Sequence, residues 1–345
     1  MNIPAKPWTK KNPPKKILAI RLQAMGDVVA TLPYLQHLSR SLPTSVKVDF
    51  LTREETEGIP KNIILFNKIF SIGGGRNFKK QLFCTFLLLP KLLLQRYDAV
   101  IDLQNNIISK IVRKALMPKA WSVFDKLSPI SGAERYRLTI EAIGLGANKA
   151  DGNFRLKYPE QGLKVLRANG WREDDELVVI NPAGAFETRN CSMHNYTAFA
   201  KLWLAAFPQT KFLIMGTSFI ASKAAFMKNE LQEKLINLVE LTTPAEAFAI
   251  IQRVKFMLSE DSGLMHMAWL SNIPTLAIFG STRSDWSAPF GEHTFLLDSS
   301  DLPCGNCMLE VCKFGDVHCL VRYTPEKVFQ DAINLIQKNT KDTPL

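Results

Sequence analysis

The sequence has little that would carry the chain into or across a bilayer. Its longest apolar block, "LFCTFLLLPKLLL" at 82–94, holds 13 residues with a Pro and a Lys inside it, against the about 20 that a spanning helix needs. The opening "MNIPAKPWTKKNPP" is rich in Lys and Pro, and the apolar "ILAI" behind it stops at once at Arg21. No secretory leader is read there, and a cytoplasmic protein is expected. The common nucleotide signatures are missing as well. "RLQAMGDVV" carries one glycine where the dinucleotide turn G-x-G-x-x-G needs three, and "IGGGRN" at 72–77 lacks the G-K-[ST] ending of a P-loop. D-x-D occurs nowhere, so a metal-held diphosphate lacks its carboxylates. Basic motifs interleaved with aromatics are also wanting, which argues against nucleic acid as a partner. Beyond the Lys/Pro-rich start there is neither an internal repeat nor a low-complexity tract.

What the chain does have is apolar material spread in short, regular portions. With 345 residues and 46% hydrophobic content it can build two cores of ordinary size. The runs "KILAIRL" (16–22), "VKVDFLT" (46–52), "YDAVIDLQ" (97–104), "ELVVINPAG" (176–184), "KFLIMGT" (211–217), "KFMLSED" (255–261) and "PTLAIFGST" (274–282) read as buried parallel strands. Helical patterns such as "DVVATLPYLQHLSRSL", "YTAFAKLWLAAF" and "AEAFAIIQRV" lie between them, an α/β alternation that puts ligands at the carboxyl ends of the strands. The series restarts near 176, after a polar, turn-containing stretch at 155–176. The expected organisation is a basic tail over 1–15, a Rossmann-like domain over 16–165, a second over 170–322 and a last helix over 323–340. The two doubly wound domains would face a central cleft.

Charge separates the halves. Residues 1–170 hold 28 Lys and Arg against 12 Asp and Glu, a net +16, whereas residues 171–345 hold 15 against 20, a net −5. The first half therefore faces an anionic surface or substrate, or else is a solvated basic face.

Three places carry candidate chemistry. In "AIRLQAMGDVVATLP" (19–33) a carboxylate, Asp27, stands beside Gly26 where a strand gives way to a helix; helix capping is one reading and acid–base chemistry the other. In "SEDSGLMHMAW" (259–269) a strand ends at Asp261, and Ser262–Gly263 open a helix whose free N–H groups and positive dipole end suit a diphosphate. His266 lies in the first turns of that helix and reaches the same pocket, unless Asp261 is only a cap and His266 only packs. In "CGNCMLEVCKFGDVHC" the residues Cys304, Cys307, Cys312 and Cys319 follow a C-x2-C-x4-C-x6-C spacing that allows a structural zinc site, with reduced thiols as the alternative. Cys84 and Cys191 read as packing residues.

Taken in order, "MGDVVATLP", "YDAVIDLQ", "NPAGAFETRNCSMHNYTAFA", "DSGLMHMA" and "IFGSTRSDWSAPFG" resemble glycosyltransferase family 9, the lipopolysaccharide heptosyltransferases, over about residues 16–338. The resemblance implies a GT-B fold, an ADP-heptose donor held by the second domain, an anionic glycolipid acceptor held by the first, and inversion at the anomeric carbon. It implies no catalytic cofactor, a last helix that crosses back to the first domain, and work at the cytoplasmic face of the inner membrane of a Gram-negative bacterium. It gives Asp27 the role of general base and assigns Gly26, Thr188, Arg189, Asp261, Ser262, Gly263 and His266 to the donor. Among the basic residues of the first half, Arg76, Lys79 and Lys80 are the expected acceptor contacts. "FKKQLFCTFLLLPKLLLQR" would dock on a surface or, by preference, be buried as a helix hairpin. Two departures stand out: "RNCS" replaces the family's Lys-x-Trp-Pro, and Ile220 stands where an acidic residue often meets the nucleoside. A nucleotide-sugar 2-epimerase of the same fold, or a non-catalytic glycolipid-binding relative, are the alternatives.

Overall fold

The computed structural model describes residues 3–152, 154–184 and 186–341. It divides into two compact units, Met1–Lys157 and Tyr158–Leu345.

Unit 1 is built on a six-stranded sheet in the order β1-β6-β5-β2-β3-β4. Its strands are β1 (Ala5–Lys6), β2 (Lys16–Ile20), β3 (Lys47–Arg53), β4 (Ile69–Ile72), β5 (Ala99–Asp102) and β6 (Ala120–Val123). Helices α1 (Met25–Ser41), α2 (Gly58–Asn62), α3 (Phe78–Leu93), α4 (Ile107–Leu116) and α5 (Gly132–Glu141) connect them. All pairs are parallel except β1 with β6. The apolar run of β2 is covered on both faces, which is why it reads as continuous rather than alternating: Ile17, Leu18, Ala19 and Ile20 are each 0% exposed. Each buried Leu or Ile of this kind stabilises the fold by about 1.5–3 kcal/mol.

Unit 2 repeats the plan in the order β12-β11-β10-β7-β8-β9. The strands are β7 (Glu176–Asn181), β8 (Thr210–Gly216), β9 (Leu235–Val239), β10 (Phe256–Glu260), β11 (Thr275–Ile278) and β12 (Thr294–Leu297). The helices are α6 (Pro159–Ala168), α7 (Met193–Ala206), α8 (Ala221–Leu231), α9 (Pro244–Ile251), α10 (Gly263–Leu270), α11 (Ser284–Ser287), α12 (His318–Val321) and α13 (Pro325–Lys341). The aromatic centre of the core is Phe199, Trp203 and Phe256, with Trp203 stacked on Phe256 at 5.0 Å. In both sheets the strand order reverses beside the first long strand, between β5 and β2 and between β10 and β7. Such reversals open crevices at the strand ends, where open α/β sheets bind ligands.

Four features differ from the expectations above. The start of the chain is not all tail: Ala5–Lys6 pairs with β6. The division falls at 157/158 rather than after 165, because α6 packs on α9 so closely that a Cβ at Gly162 would sit 2.7 Å from the Glu246 carbonyl oxygen. Helix α13 adds packing that the expectation did not contain: Val328, Ala332 and Leu335 join the core of Phe199 and Trp203 in unit 2. The segment 78–94 is not a buried hairpin. It is one helix, α3, covered on one side only.

Candidate active site

The loop after β2 turns into α1 without a side-chain N-cap, because the cap position is Ala24. Asp27, the third helical residue, reaches back instead and accepts from the Ala24 backbone N–H at 3.1 Å. Asp27 thus supplies only the return half of a capping box, the bond from N3 to the N-cap N–H, and is not the N-cap residue itself. Its carboxylate has two further partners. Arg21 Nη2 lies 2.7 Å from Oδ2, and the Tyr136 hydroxyl, from α5, donates to Oδ1 at 2.8 Å. Burial pushes this carboxyl up, but the Arg21 guanidinium, the Ala24 N–H and the Tyr136 hydroxyl outweigh it and hold the group below the ordinary aspartate value of 3.8. The carboxylate is therefore ionised at neutral pH, and its side chain is still 46% exposed.

Arg21 is held as firmly as the acid it serves. It donates to the Leu103 carbonyl at 2.5 Å and lies against the Phe124 and Tyr136 rings, at 5.5 and 5.3 Å. Gln104, at the end of the neighbouring β5, fixes the same loop by accepting from the Leu22 and Gln23 N–H groups at 2.8 and 3.1 Å. The result is a cavity of about 980 Å³ over the β5/β2 reversal, lined by Asp27, Arg21, Arg53 and Arg76 among others. Of the expected acceptor contacts, Arg76 lines this cavity; Lys79 and Lys80 do not, and lie exposed at the start of α3. Gly26 takes the second position of α1, beside Asp27.

The second crevice is organised by a residue that sequence reading passed over. Glu260, the last residue of β10, is 1% exposed and accepts from the Gly184 N–H at 2.5 Å, the Cys191 N–H at 2.7 Å and the Tyr196 hydroxyl at 3.0 Å. It ties the loop after β7 to the end of β10. Burial pushes its carboxyl up to about 7 against the pull of the two backbone N–H groups. Gly184 is required at the tie, since a Cβ there would meet the Arg189 carbonyl oxygen at 2.1 Å. Ser262, next to Asp261, caps α10 by accepting from the Met265 N–H at 3.2 Å, and Asn181 donates to the Ser262 hydroxyl at 2.6 Å. Gly263 opens the helix, and His266 lies buried within it, edge-on to Trp269. Of the residues expected at the donor, Asp261, Ser262, Gly263 and His266 lie together at the end of β10, beside the loop that carries Thr188 and Arg189, whereas Gly26 belongs to unit 1.

Arg189 lies over the Phe186 ring at 5.2 Å with Met308 Sδ at 3.9 Å, contacts that leave most of its donors for a ligand. Thr188, a residue 2% exposed, points elsewhere: its hydroxyl is spent on Ser281 Oγ at 2.9 Å and the Leu309 carbonyl at 2.5 Å. Its contacts make it a clamp on the 308–310 segment rather than a free donor to a ligand. In the "RNCS" stretch the Cys191 N–H serves Glu260 and Ser192 caps α7. Ile220 turns into the core beside Gly216, away from any nucleoside role.

Cys304, Cys307, Cys312 and Cys319 line one cavity of about 310 Å³ together with Thr188. All are free thiols, and burial together with the neighbouring thiols pushes Cys319 up to about 11. Among the described residues no three His, Cys, Asp or Glu side chains stand in an arrangement that could hold a metal ion. The four thiols share a cavity, but as placed they do not form the set that a zinc site needs.

The model of glycosyltransferase family 9 (heptosyltransferase) matches residues 133–318. The chain belongs to that family. It is a glycosyltransferase, and the ordered motifs that suggested the family are carried on the two crevices just described. Lipooligosaccharide heptosyltransferase 2 of Campylobacter jejuni is 26% identical over 329 residues, spanning 91% of this chain and 96% of that protein. Among solved structures, a family 9 glycosyl transferase from Veillonella parvula superposes with a TM-score of 0.81 at 16% identity, covering 94% of this chain and 98% of the other. The E. coli ADP-heptose lps heptosyltransferase II gives 0.74 at 17%, covering 94% and 99%. These likenesses give the fold: GT-B, with two Rossmann-like α/β units.

Proposed function

We propose that the enzyme moves a heptose from ADP-heptose to a lipopolysaccharide core acceptor, with inversion at the anomeric carbon and Asp27 as general base. The observation that carries the reading is the ionised, half-exposed Asp27 carboxylate on a cavity lined by three guanidinium groups. A base must be ionised and reachable, and an acceptor bearing phosphates and carboxylates needs cations around it. The names of the relatives supply the sugar and the class of acceptor. In the step itself the acceptor oxygen bonds to the anomeric carbon from the face opposite the phosphate. The bond from that carbon to the diphosphate oxygen breaks, the hydroxyl proton passes to Asp27, and ADP leaves with the bonding pair.

The charge on departing ADP is met, in this reading, by the N–H groups that open α10 at Gly263 and by Arg189. The chain has no D-x-D pair to hold the diphosphate through a metal ion, so EDTA should leave transfer unchanged. The work is assigned to the cytoplasmic face of the inner membrane of a Gram-negative bacterium. Purified enzyme is to be given ADP-heptose and, separately, other nucleotide sugars, each with a lipopolysaccharide core acceptor. Heptose incorporation from ADP-heptose alone, undiminished by EDTA, is expected. A sugar returned epimerised at C2, with nothing transferred, would instead support the epimerase alternative.

A further inference from the structure

Helix α3 carries large apolar side chains on two opposite faces, yet only one of them is packed. Leu82, Leu88, Leu89 and Leu92 face the unit 1 core, while Phe83, Phe86 and Leu87 on the opposite face are 63%, 55% and 62% exposed. An outward helix face is ordinarily polar, so a face of two Phe and a Leu in solvent lacks its partner. The charge around it identifies the kind of partner. From Gly58 to Tyr97 the chain carries seven Lys and Arg and no Asp or Glu, and Lys79, Lys80 and Lys91 lie exposed on α3 itself. The exposed stripe 79–83–86/87–90–94 runs at helical spacing through Lys79, Phe83, Phe86, Leu87, Pro90 and Leu94, with Lys80 and Lys91 beside its two ends. That is the pattern of a helix lying in the headgroup layer of an anionic bilayer. With 16 residues α3 is too short to span, and no described helix is long and apolar enough to do so.

The face is also continuous with the Asp27 cavity. Phe78, the first residue of α3, and Ile107, the first of α4, both line that cavity and are 48% and 62% exposed.

We propose that the outer face of α3 seats unit 1 on anionic phospholipid, so that the Asp27 cavity begins at the amino end of the seated helix and receives its acceptor from the bilayer. The proposal rests on the acceptor being lipid-borne, but its test needs neither donor nor acceptor. The full chain is to be floated with vesicles of phosphatidylethanolamine and phosphatidylglycerol, and with vesicles of phosphatidylcholine alone. Binding to the first, fading with added salt, is expected. The triple change Phe83→Ser, Phe86→Ser, Leu87→Ser should lower partitioning at least about tenfold with the melting temperature unchanged. Replacing Lys79, Lys80 and Lys91 by Gln should cost about fivefold each on the anionic vesicles alone. Should the triple variant fold poorly, Phe86→Trp decides. It should bind as the parent does and gain quenching from lipids brominated in their acyl chains. Undiminished flotation of a folded triple variant, an unquenched Trp, or a solution dimer that the triple change splits without altering vesicle binding would overturn the proposal. Vesicle binding without heptose transfer would instead count against the transferase reading and leave this one standing.

Discussion

Asp27 owes its charge to three donors from three places: Arg21 in the preceding strand end, the Ala24 backbone and Tyr136 on α5. Because its folded value lies below 3.8, the group contributes stability above the unfolded value and loses it as pH falls through the folded one. The acid limb of kcat/KM should accordingly lie below the ordinary aspartate range. Asp27→Asn separates the roles. The amide oxygen can still accept from the Ala24 N–H while the amide nitrogen turns to the Tyr136 hydroxyl oxygen, but the group carries no charge for Arg21 and cannot take a proton. We expect a folded variant, about 1–3 kcal/mol less stable in urea unfolding, with transfer slowed about 10²–10⁴-fold. Near-normal transfer would reduce Asp27 to its place in the capping box. The acid itself was legible in the sequence, since a carboxylate beside a glycine at a strand-to-helix turn is a local pattern. Its partners were less so. Arg21 showed only as the end of an apolar run, and Tyr136 lies 109 residues away with no local signal.

At the scale of elements, the tie at Glu260 makes the loop after β7 depend on one buried carboxyl. Between 4.5 and about 7 the folded chain keeps a proton on Glu260 that the unfolded chain has released. Stability should therefore fall as pH rises through that window and level off above it. Glu260→Gln should begin less stable, because its amide nitrogen faces the Gly184 or Cys191 N–H, and its stability should be flatter across the same window. Urea midpoints of both proteins as a function of pH check this; equal slopes would show that Glu260 is not the titrating group. Sequence reading found β2, β3, β5, β7, β8, β10 and β11, each an inner strand covered on both faces. It missed β1, β4, β9 and β12 at the sheet margins, and also β6, a four-residue strand with a Ser in it that only the two-residue β1 keeps from being an edge. A half-covered strand of four or five residues leaves no continuous apolar run to read. The role of Glu260 was hidden for a related reason, since a buried acid at the end of a strand looks the same in sequence as an exposed one.

For the whole molecule, the uneven charge and the ordered motifs were readable because both are sums over many residues. The packed face of α13, by contrast, depends on where Val328, Ala332 and Leu335 find a core, which no local pattern specifies. The opening residues hold a similar surprise. Val123 donates to the Pro4 carbonyl at 3.0 Å, Ala5 pairs with Ser122, and the Trp8 N–H reaches the Ile143 carbonyl at 2.7 Å. This short strap runs against the direction of every other strand in its sheet and occupies the hydrogen-bonding margin of β6. It therefore bears on handling. A chain trimmed to begin at Asn12 would present β6 as an open template for a neighbouring molecule, and should elute on gel filtration as larger species than the intact chain. An affinity tag is better fused to the other terminus.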